Sequence, residues 1–370
     1  MTREIPLLRP LLPTLEQLAP YLRLIDESRI YSNFGPLVRL LEERLALHFG
    51  VAPDGLAAVS NGTTALSAAL LAVRAKPGTK CLVPSWTFVA SAAAVCAANL
   101  VPHFVDVSRE TWIPDPAALR RRVDLAEVGA VMIVAPFGTP FDTATWDAFW
   151  EETGIPVVID GAACFDTVPS VPASRPGRSP IMISLHATKV LGTGEGGLVV
   201  STDDAIVRRV RQVCNFGISG TPEDQILGYN GKLSEYHAAV GLAALEGWPE
   251  RRAALMGRTQ RYVHELRRLP QIQTLPRYAD GWVSVYGTVR IPEDAGTVGA
   301  RLSAMGIENR RWWRDGVHRF AAYRDFPRDD LSVTTELATS VLSLPFSHDI
   351  SDAQIARVID CLESALKVSR

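Results

Sequence analysis

Ile181-Met-Ile-Ser-Leu-His186-Ala-Thr-Lys189-Val-Leu-Gly192-Thr-Gly194-Glu-Gly-Gly197-Leu-Val-Val-Ser201 is the stretch that decides the fold. Gly192, Gly194 and Gly197 satisfy the G-x-G-x-x-G spacing of dinucleotide-binding turns. That fingerprint requires a strand before it and a helix directly after it, with the helix N-terminus on the pyrophosphate. Here Leu198-Val-Val-Ser follows, an apolar β-branched run that reads as a strand. Residues 181–186 and 198–201 are therefore expected as two strands of a hairpin with a glycine-rich connection, and nicotinamide binding is set aside. Lys189 then stands alone at the end of an apolar strand, with hydroxyls and an imidazole close in sequence. A lysine stripped of water there loses proton affinity and becomes a nucleophile for a carbonyl. An isolated lysine in such a loop is more often a plain surface residue.

Upstream, short β-branched runs alternate with helical segments. Strands are expected at 56–60, 80–83, 101–107, 128–135 and 157–160, and helices at 63–74, 88–100, 116–122 and 143–153. The strands are nearly all apolar rather than alternating, as burial on both faces of a parallel βαβ sheet requires. Downstream, helices are expected at 203–214, 234–246 and 249–269. From about residue 275 the chain turns α+β, with strands at 282–289 and 340–344 and helices at 295–305 and 351–367. The fold class is α/β, a large domain with a mostly parallel sheet plus a smaller C-terminal α+β domain. The division is placed at 1–250 (N-terminal arm and large domain) and 251–370.

Composition agrees with a globular enzyme. The 370 residues are 47% hydrophobic and 21% charged, and 38 Lys and Arg stand against 40 Asp and Glu. No basic excess marks a nucleic-acid binder. The longest almost unbroken apolar run, 88–100, is shorter than the ~18–20 residues that cross a bilayer. The first residues do not resemble a signal peptide. Cys81, Cys96, Cys164, Cys214 and Cys361 are scattered and never spaced C-x-x-C, so reduced thiols, no metal site and a cytoplasmic protein are expected.

Three further segments bear on Lys189. Asp160 ends the strand Val157-Val-Ile-Asp and is followed by the small residues Gly161-Ala-Ala. The carboxyl end of a strand in an open α/β sheet is where ligands bind. A carboxylate there, with a Schiff-base lysine, is the pair that a pyridoxal phosphate site needs, because it keeps the pyridine nitrogen protonated. Ser60-Asn-Gly62-Thr63-Thr lies between a strand and a helix, where backbone amides favour an anion. Pro84-Ser-Trp86-Thr-Phe88 offers an aromatic face. Alone, each has a plain alternative: a strand-end cap, a helix cap, core aromatics.

Taken in order, Gly62-Thr63, Phe88, Asp160, Ser184 to Lys189 and Gly228-Tyr-Asn230-Gly-Lys232-Leu-Ser-Glu resemble the DegT/StrS sugar aminotransferases, pyridoxal-phosphate enzymes of fold type I. The resemblance runs from Ile5-Pro-Leu-Leu-Arg-Pro and Asn33-Phe-Gly-Pro to Leu342-Ser-Leu-Pro-Phe-Ser. It implies pyridoxal 5'-phosphate, cycling with its pyridoxamine form, as cofactor. Lys189 and Asp160 would be catalytic: Lys189 would link to the cofactor and move the proton between the donor Cα and the cofactor C4′, and Asp160 would pair with the ring nitrogen. Gly62, Thr63 and Ser184 would hold the phosphate and Phe88 would stack on the ring. Asn230 would reach the neighbouring subunit's cofactor in a homodimer, and Lys232 would serve phosphate or substrate across that interface. His318 falls where the family has a substrate-contacting histidine.

The chain departs from the family at Ala163, where Gln or His usually meets the cofactor's phenolic oxygen; His186 or a water is expected to replace it. Trp312-Trp313, flanked by Arg310, Arg311 and Arg314, reads either as a core pair with a solvated charge run or as a platform for a substrate base, with Trp313 in contact. The implied reaction transfers an amino group from an amino acid, L-glutamate first, to a nucleotide-linked 4-keto-6-deoxyhexose, C4 before C3. A cofactor-binding sensor and an aminotransferase for a cyclitol or other ketone are the alternatives. Neither nucleic acid nor membrane is expected as a partner.

Overall fold

The computed structural model describes residues 4–122 and 124–367; the outer limits of the two expected domains, 1–3 and 368–370, lie outside them. Seven strands form the large sheet: β1 (Leu56–Val59), β2 (Lys80–Pro84), β3 (Val101–Val105), β4 (Val128–Val134), β5 (Val157–Asp160), β6 (Ile181–Ser184) and β7 (Gly197–Val200). Their order across the sheet is β1-β7-β6-β5-β4-β2-β3. Neighbours from β3 to β6 pair in parallel, and β7 runs antiparallel to both β6 and β1.

The strands are short and buried along almost their whole length because helices cover both faces, which is why their sequences do not alternate. The glycine-rich stretch makes the expected hairpin. The place of β1 is a correction to the simple βαβ succession: among the seven strands of this sheet β1 pairs with β7 alone, at the far edge from β2.

Helix Gly62–Ala72 starts directly behind β1. Helix Val89–Ala97 follows β2, with Phe88 as its N-cap. Both are rich in alanine, which lets them lie close to the sheet. Helix Trp248–Leu266 leads to a second, three-stranded sheet of β8 (Gln273–Thr274), β9 (Gly287–Arg290) and β10 (Val341–Leu344), ordered β10-β9-β8. The expected strand at 282–289 is shorter in the structure. Residues 282–286 are buried coil, held by Val283 donating its amide to Asp166 (2.9 Å) and by Ser284 donating to the Phe137 carbonyl (3.1 Å). Tertiary hydrogen bonds there replace the sheet ladder that the apolar run suggested. All five cysteines are free thiols, and no helix among the described residues is long and apolar enough to cross a membrane.

Candidate active site

The sheet ends place the chemistry. Across three strands, Val59 at the end of β1 faces Gly197 in β7, which faces Ser184 at the end of β6. Two residues before Ser184, Met182 faces Asp160 at the end of β5. The residues after β1, β5 and β6 thus emerge along one edge.

Position 197 must be glycine. A Cβ there would lie 2.5 Å from the Asn61 carbonyl oxygen and 2.9 Å from the Gly62 nitrogen. That gap lets the chain turn from β1 into the helix beginning at Gly62. Asn61 caps the helix by accepting the Thr64 amide (2.9 Å). The amides of Gly62 and Thr63, in the first helical turn, have no acceptor within the helix. A Cβ at Gly62 would come within 3.3 Å of Ser184 Cβ, so the helix start and Ser184 stand against each other. Helix amides beside a hydroxyl make an anion cradle.

Asp160 is 5% exposed. Its Oδ2 accepts from Ser91 Oγ (2.6 Å) and its Oδ1 from the Ala162 amide (3.1 Å). Ser91 in turn lies 2.6 Å from Thr87 Oγ1. Burial pushes the carboxyl above the usual carboxylate range, while Ser91, Ala162 and Lys189 draw it back. Lys189 is half-buried, and the protein packed around its amine lowers its proton affinity, against the pull of Asp160. Lys189 is fixed through its amide, which donates to the His186 carbonyl (2.8 Å). His186 donates its own amide to Ser184 Oγ (3.3 Å) and sets Nδ1 2.8 Å from Thr188 Oγ1.

Phe88 is 55% exposed, unusual for so large a ring in the middle of the chain. Its carbonyl accepts from the Ser91 amide (3.1 Å), so the exposed ring and the hydroxyl on Asp160 belong to one helical turn.

His318 is buried 2.7 Å from Ser85 Oγ, on the residue that follows β2. Burial lowers its proton affinity, and Arg319 and Arg328 lower it further.

The backbone of the 230–232 segment lies beside the end of β1, where Lys232 bridges to Val59 and the Gly231 carbonyl accepts the Ser60 amide (2.8 Å), but no contact carries the Asn230 or Lys232 side chain to Asp160 or Lys189. Asn230 is exposed, and Lys232 sets its ammonium 4.5 Å from the Phe216 ring. Trp313 goes to the core: it is 8% exposed, stacked on Phe137 (4.4 Å, 9°) and edge-on to Trp86 (4.9 Å). A ring so enclosed offers no platform to a base, so the core alternative holds for Trp313. Arg310 covers Trp312 at 4.7 Å, and its partner is therefore that ring.

Ser91, Thr87 and Ser85 escaped the sequence reading. The signal was present in Thr87-x-x-x-Ser91, two hydroxyls one helical turn apart directly behind a strand end.

The residues present fit pyridoxal phosphate. A buried carboxylate, a lysine of lowered proton affinity, a helix start whose Gly62 and Thr63 amides have no acceptor within the helix, beside a serine, and an exposed ring supply the four contacts that the cofactor needs. Residues 15–363 match the model of the DegT/DnrJ/EryC1/StrS aminotransferase family. Protein Rv3402c of Mycobacterium tuberculosis is 31% identical, over 98% of this chain and 90% of its own. The dTDP-4-amino-4,6-dideoxy-D-glucose transaminase of Shigella dysenteriae is 27% identical, over 98% of this chain and 99% of its own. Among solved structures, DesI in the presence of its TDP-sugar product superposes with a TM-score of 0.87 at 31% identity, covering 100% of this chain and 94% of that one.

Proposed function

We propose that this chain, which belongs to the DegT/DnrJ/EryC1/StrS aminotransferase family and is a pyridoxal-phosphate-dependent transaminase, aminates C4 of a 4-keto-6-deoxyhexose carried on a nucleoside diphosphate, with L-glutamate as donor. The observation that carries this reading is the joint presence of Asp160 and Lys189 on one buried sheet edge, each shifting the other's protonation. The name of the Shigella relative, a transaminase for a dTDP-linked 4-amino-4,6-dideoxy sugar, supports the nucleotide carrier and the C4 position.

When bound, the cofactor supplies an electron sink for the carbanion formed at the donor's α-carbon. Asp160 would hold the proton on its ring nitrogen. Lys189 Nζ, its proton affinity lowered by burial, would link to it and then carry the proton between carbon atoms. Gly62, Thr63 and Ser184 would hold its phosphate and Phe88 would cover its ring. His186 and His318 would face the substrate, with His318 held by Ser85.

Asn230 and Lys232 would serve the neighbouring subunit's site in a homodimer. The support is apolar surface around that loop: Phe216 is 50% exposed, Ile218 52% and Leu227 92%, more than a lone subunit leaves in water without reason.

The deciding measurement is the visible spectrum of the purified protein before and after L-glutamate, followed by addition of nucleotide-linked ketosugars. A band that fades with glutamate and returns with the ketosugar is expected. A band indifferent to every amino donor would favour a cofactor-binding sensor instead.

A further inference from the structure

Helix Asp204–Cys214 packs against helix Gly62–Ala72, and a cavity of about 440 Å³ opens beside the pair. Arg208 and Arg209 line it from the first helix, and Arg74 from just past the end of the second. Ile218 and Ser219 face it from the loop that follows Cys214, and Phe34 from the chain ahead of Gly35. Its charge is uncompensated. Arg211, on the same helix, pairs with Glu42 (3.3 Å) and Asp54 (3.6 Å), but among the described residues Arg74, Arg208 and Arg209 pair with no carboxylate. Two polar atoms on the wall, Arg209 Nε and Ser219 Oγ, are buried without a hydrogen-bond partner. Burial and the neighbouring Arg74 charge both oppose the charge on Arg209. Buried donors without acceptors and like charges held together each cost the folded chain free energy. An anion between them relieves both costs.

We propose that this cavity binds the phosphate group of a small phosphate ester, held by Arg74, Arg208, Arg209 and the Ser219 hydroxyl, with the organic part of the ester against Phe34 and Ile218. Guanidinium suits phosphate in geometry and charge. A phosphate monoester carries about −1.5 to −2 charges at pH 7, which answers three cations better than a carboxylate does. The cavity is wider than a phosphate alone requires and falls within the ~300–1,000 Å³ of small-molecule sites. None of its residues belongs to the catalytic edge. The cradle at Gly62 and Thr63 opens the helix whose far end carries Arg74, so the two anion sites are separated by roughly 16 Å. The ligand's partners lie on both the helix and the loop. That loop is held to the helix by the Gln212 side-chain amide, which donates to the carbonyls of Gly217 (3.0 Å) and Asp224 (2.7 Å). A bound phosphate adds a second tie, on the segment that leads to Asn230 and Lys232.

The test titrates cofactor-loaded protein, whose own phosphate cradle is filled, with inorganic phosphate and with phenyl phosphate by calorimetry in phosphate-free buffer. Both are expected to bind, more weakly as salt screens the arginines, and phenyl phosphate about tenfold more tightly because its ring is buried. The double variant Arg208→Ala/Arg209→Ala should weaken binding about 100-fold, roughly tenfold for each charge-assisted contact removed, and Ser219→Ala about tenfold. Arg258→Ala, which removes a surface arginine paired with Asp352, is the charge control and should bind as wild type does. Arg209→Gln separates a ligand site from packing. Without phosphate it should melt no lower than wild type, since a repelling charge is gone, and added phosphate should raise the melting temperature of wild type alone. Amide exchange across residues 215–229 should slow when phosphate binds. A wild type that binds neither probe, a double variant that binds as wild type does, or equal weakening by Arg258→Ala overturns the assignment. Inorganic phosphate bound as tightly as phenyl phosphate overturns the ester. Binding that appears only when the protein is diluted to monomers means that a second copy fills the cavity, and overturns the site as well.

Discussion

Replacing Ser91 by alanine isolates the electrostatics of Asp160. The Ser91 hydroxyl donates to Asp160 Oδ2 at 2.6 Å, and Ala162 supplies the other donor at 3.1 Å. A hydrogen bond to a buried charged group is worth about 1.5–3 kcal/mol, which is roughly one to two units of proton affinity. Losing a donor to the charged form raises the carboxyl further above the ordinary value of 3.8, in the direction that burial already drives it. The sign of the stability effect follows. Between the unfolded and folded values the native state holds a proton that the unfolded chain has released, so stability falls as pH rises through that window. The variant, with the higher folded value, falls further. Cofactor-free wild type and Ser91→Ala should therefore unfold nearly alike where the carboxyl is protonated in the folded state of both, and diverge as pH rises through its raised folded range, by up to about 1.5–3 kcal/mol. Urea titrations across that range measure it, and every other titrating group cancels in the difference. Ser91→Thr, which keeps the hydroxyl, should restore the wild-type profile. A difference that is constant with pH would mean that Ser91 only fills space, and the relay from Thr87 through Ser91 to Asp160 would be refuted.

Four other outcomes are expected. Lys189→Ala should lose the visible band and all turnover; normal turnover would remove Lys189 from the chemistry. Asp160→Asn should slow the reaction by several orders of magnitude, since the amide cannot hold the ring proton as a carboxylate does, and a near-wild-type rate in stopped-flow mixing with glutamate would refute that role. Gly197→Ala drives a Cβ into the Asn61 carbonyl and the Gly62 nitrogen, so equilibrium dialysis should show weakened binding of pyridoxal phosphate, and unchanged affinity would separate the β7 gap from the anion cradle. Trp313→Ala should destabilise by about 3–5 kcal/mol, as truncating a large buried aromatic does; a chemical denaturation curve close to wild type would contradict its place against Phe137 and Trp86.

The reading of residues 181–201 carried most of the fold, because a strand after Gly197 is a local property. Apolar runs of four to seven residues that cannot alternate state their own double burial, and so the central strands were legible. What stayed hidden was set by partners distant in sequence. The apolar run from Trp282 looks like a strand, but Asp166, more than a hundred positions earlier, takes the Val283 amide that a ladder would have used. Nothing local distinguishes Trp313 from a surface platform either; its burial depends on Phe137 and Trp86, both more than 170 positions earlier, against which its ring packs. In the site, the charged and glycine positions were legible because their chemistry is rare. Ser91 and Ser85 were not, since serine is common and only the folded sheet shows which hydroxyls face a buried acceptor.

The position of β1 explains why those rare residues meet at all. Had β1 continued the parallel succession beside β2, the helix at Gly62 would start next to Phe88, two strands away from Asp160. Because β7 turns back along β6, its outer edge accepts β1 in the opposite sense to itself, and β1 therefore runs in the same direction as β6 and β5. Its end, and the helix N-terminus behind it, then point to the edge where Ser184, Lys189 and Asp160 lie. The cost falls on Gly197, the residue wedged between the ends of β1 and β6, where no side chain fits. One hairpin thus both positions Lys189 and brings the anion cradle to it, which is why the glycine-rich stretch that mimics a nucleotide fingerprint is needed for a different reason.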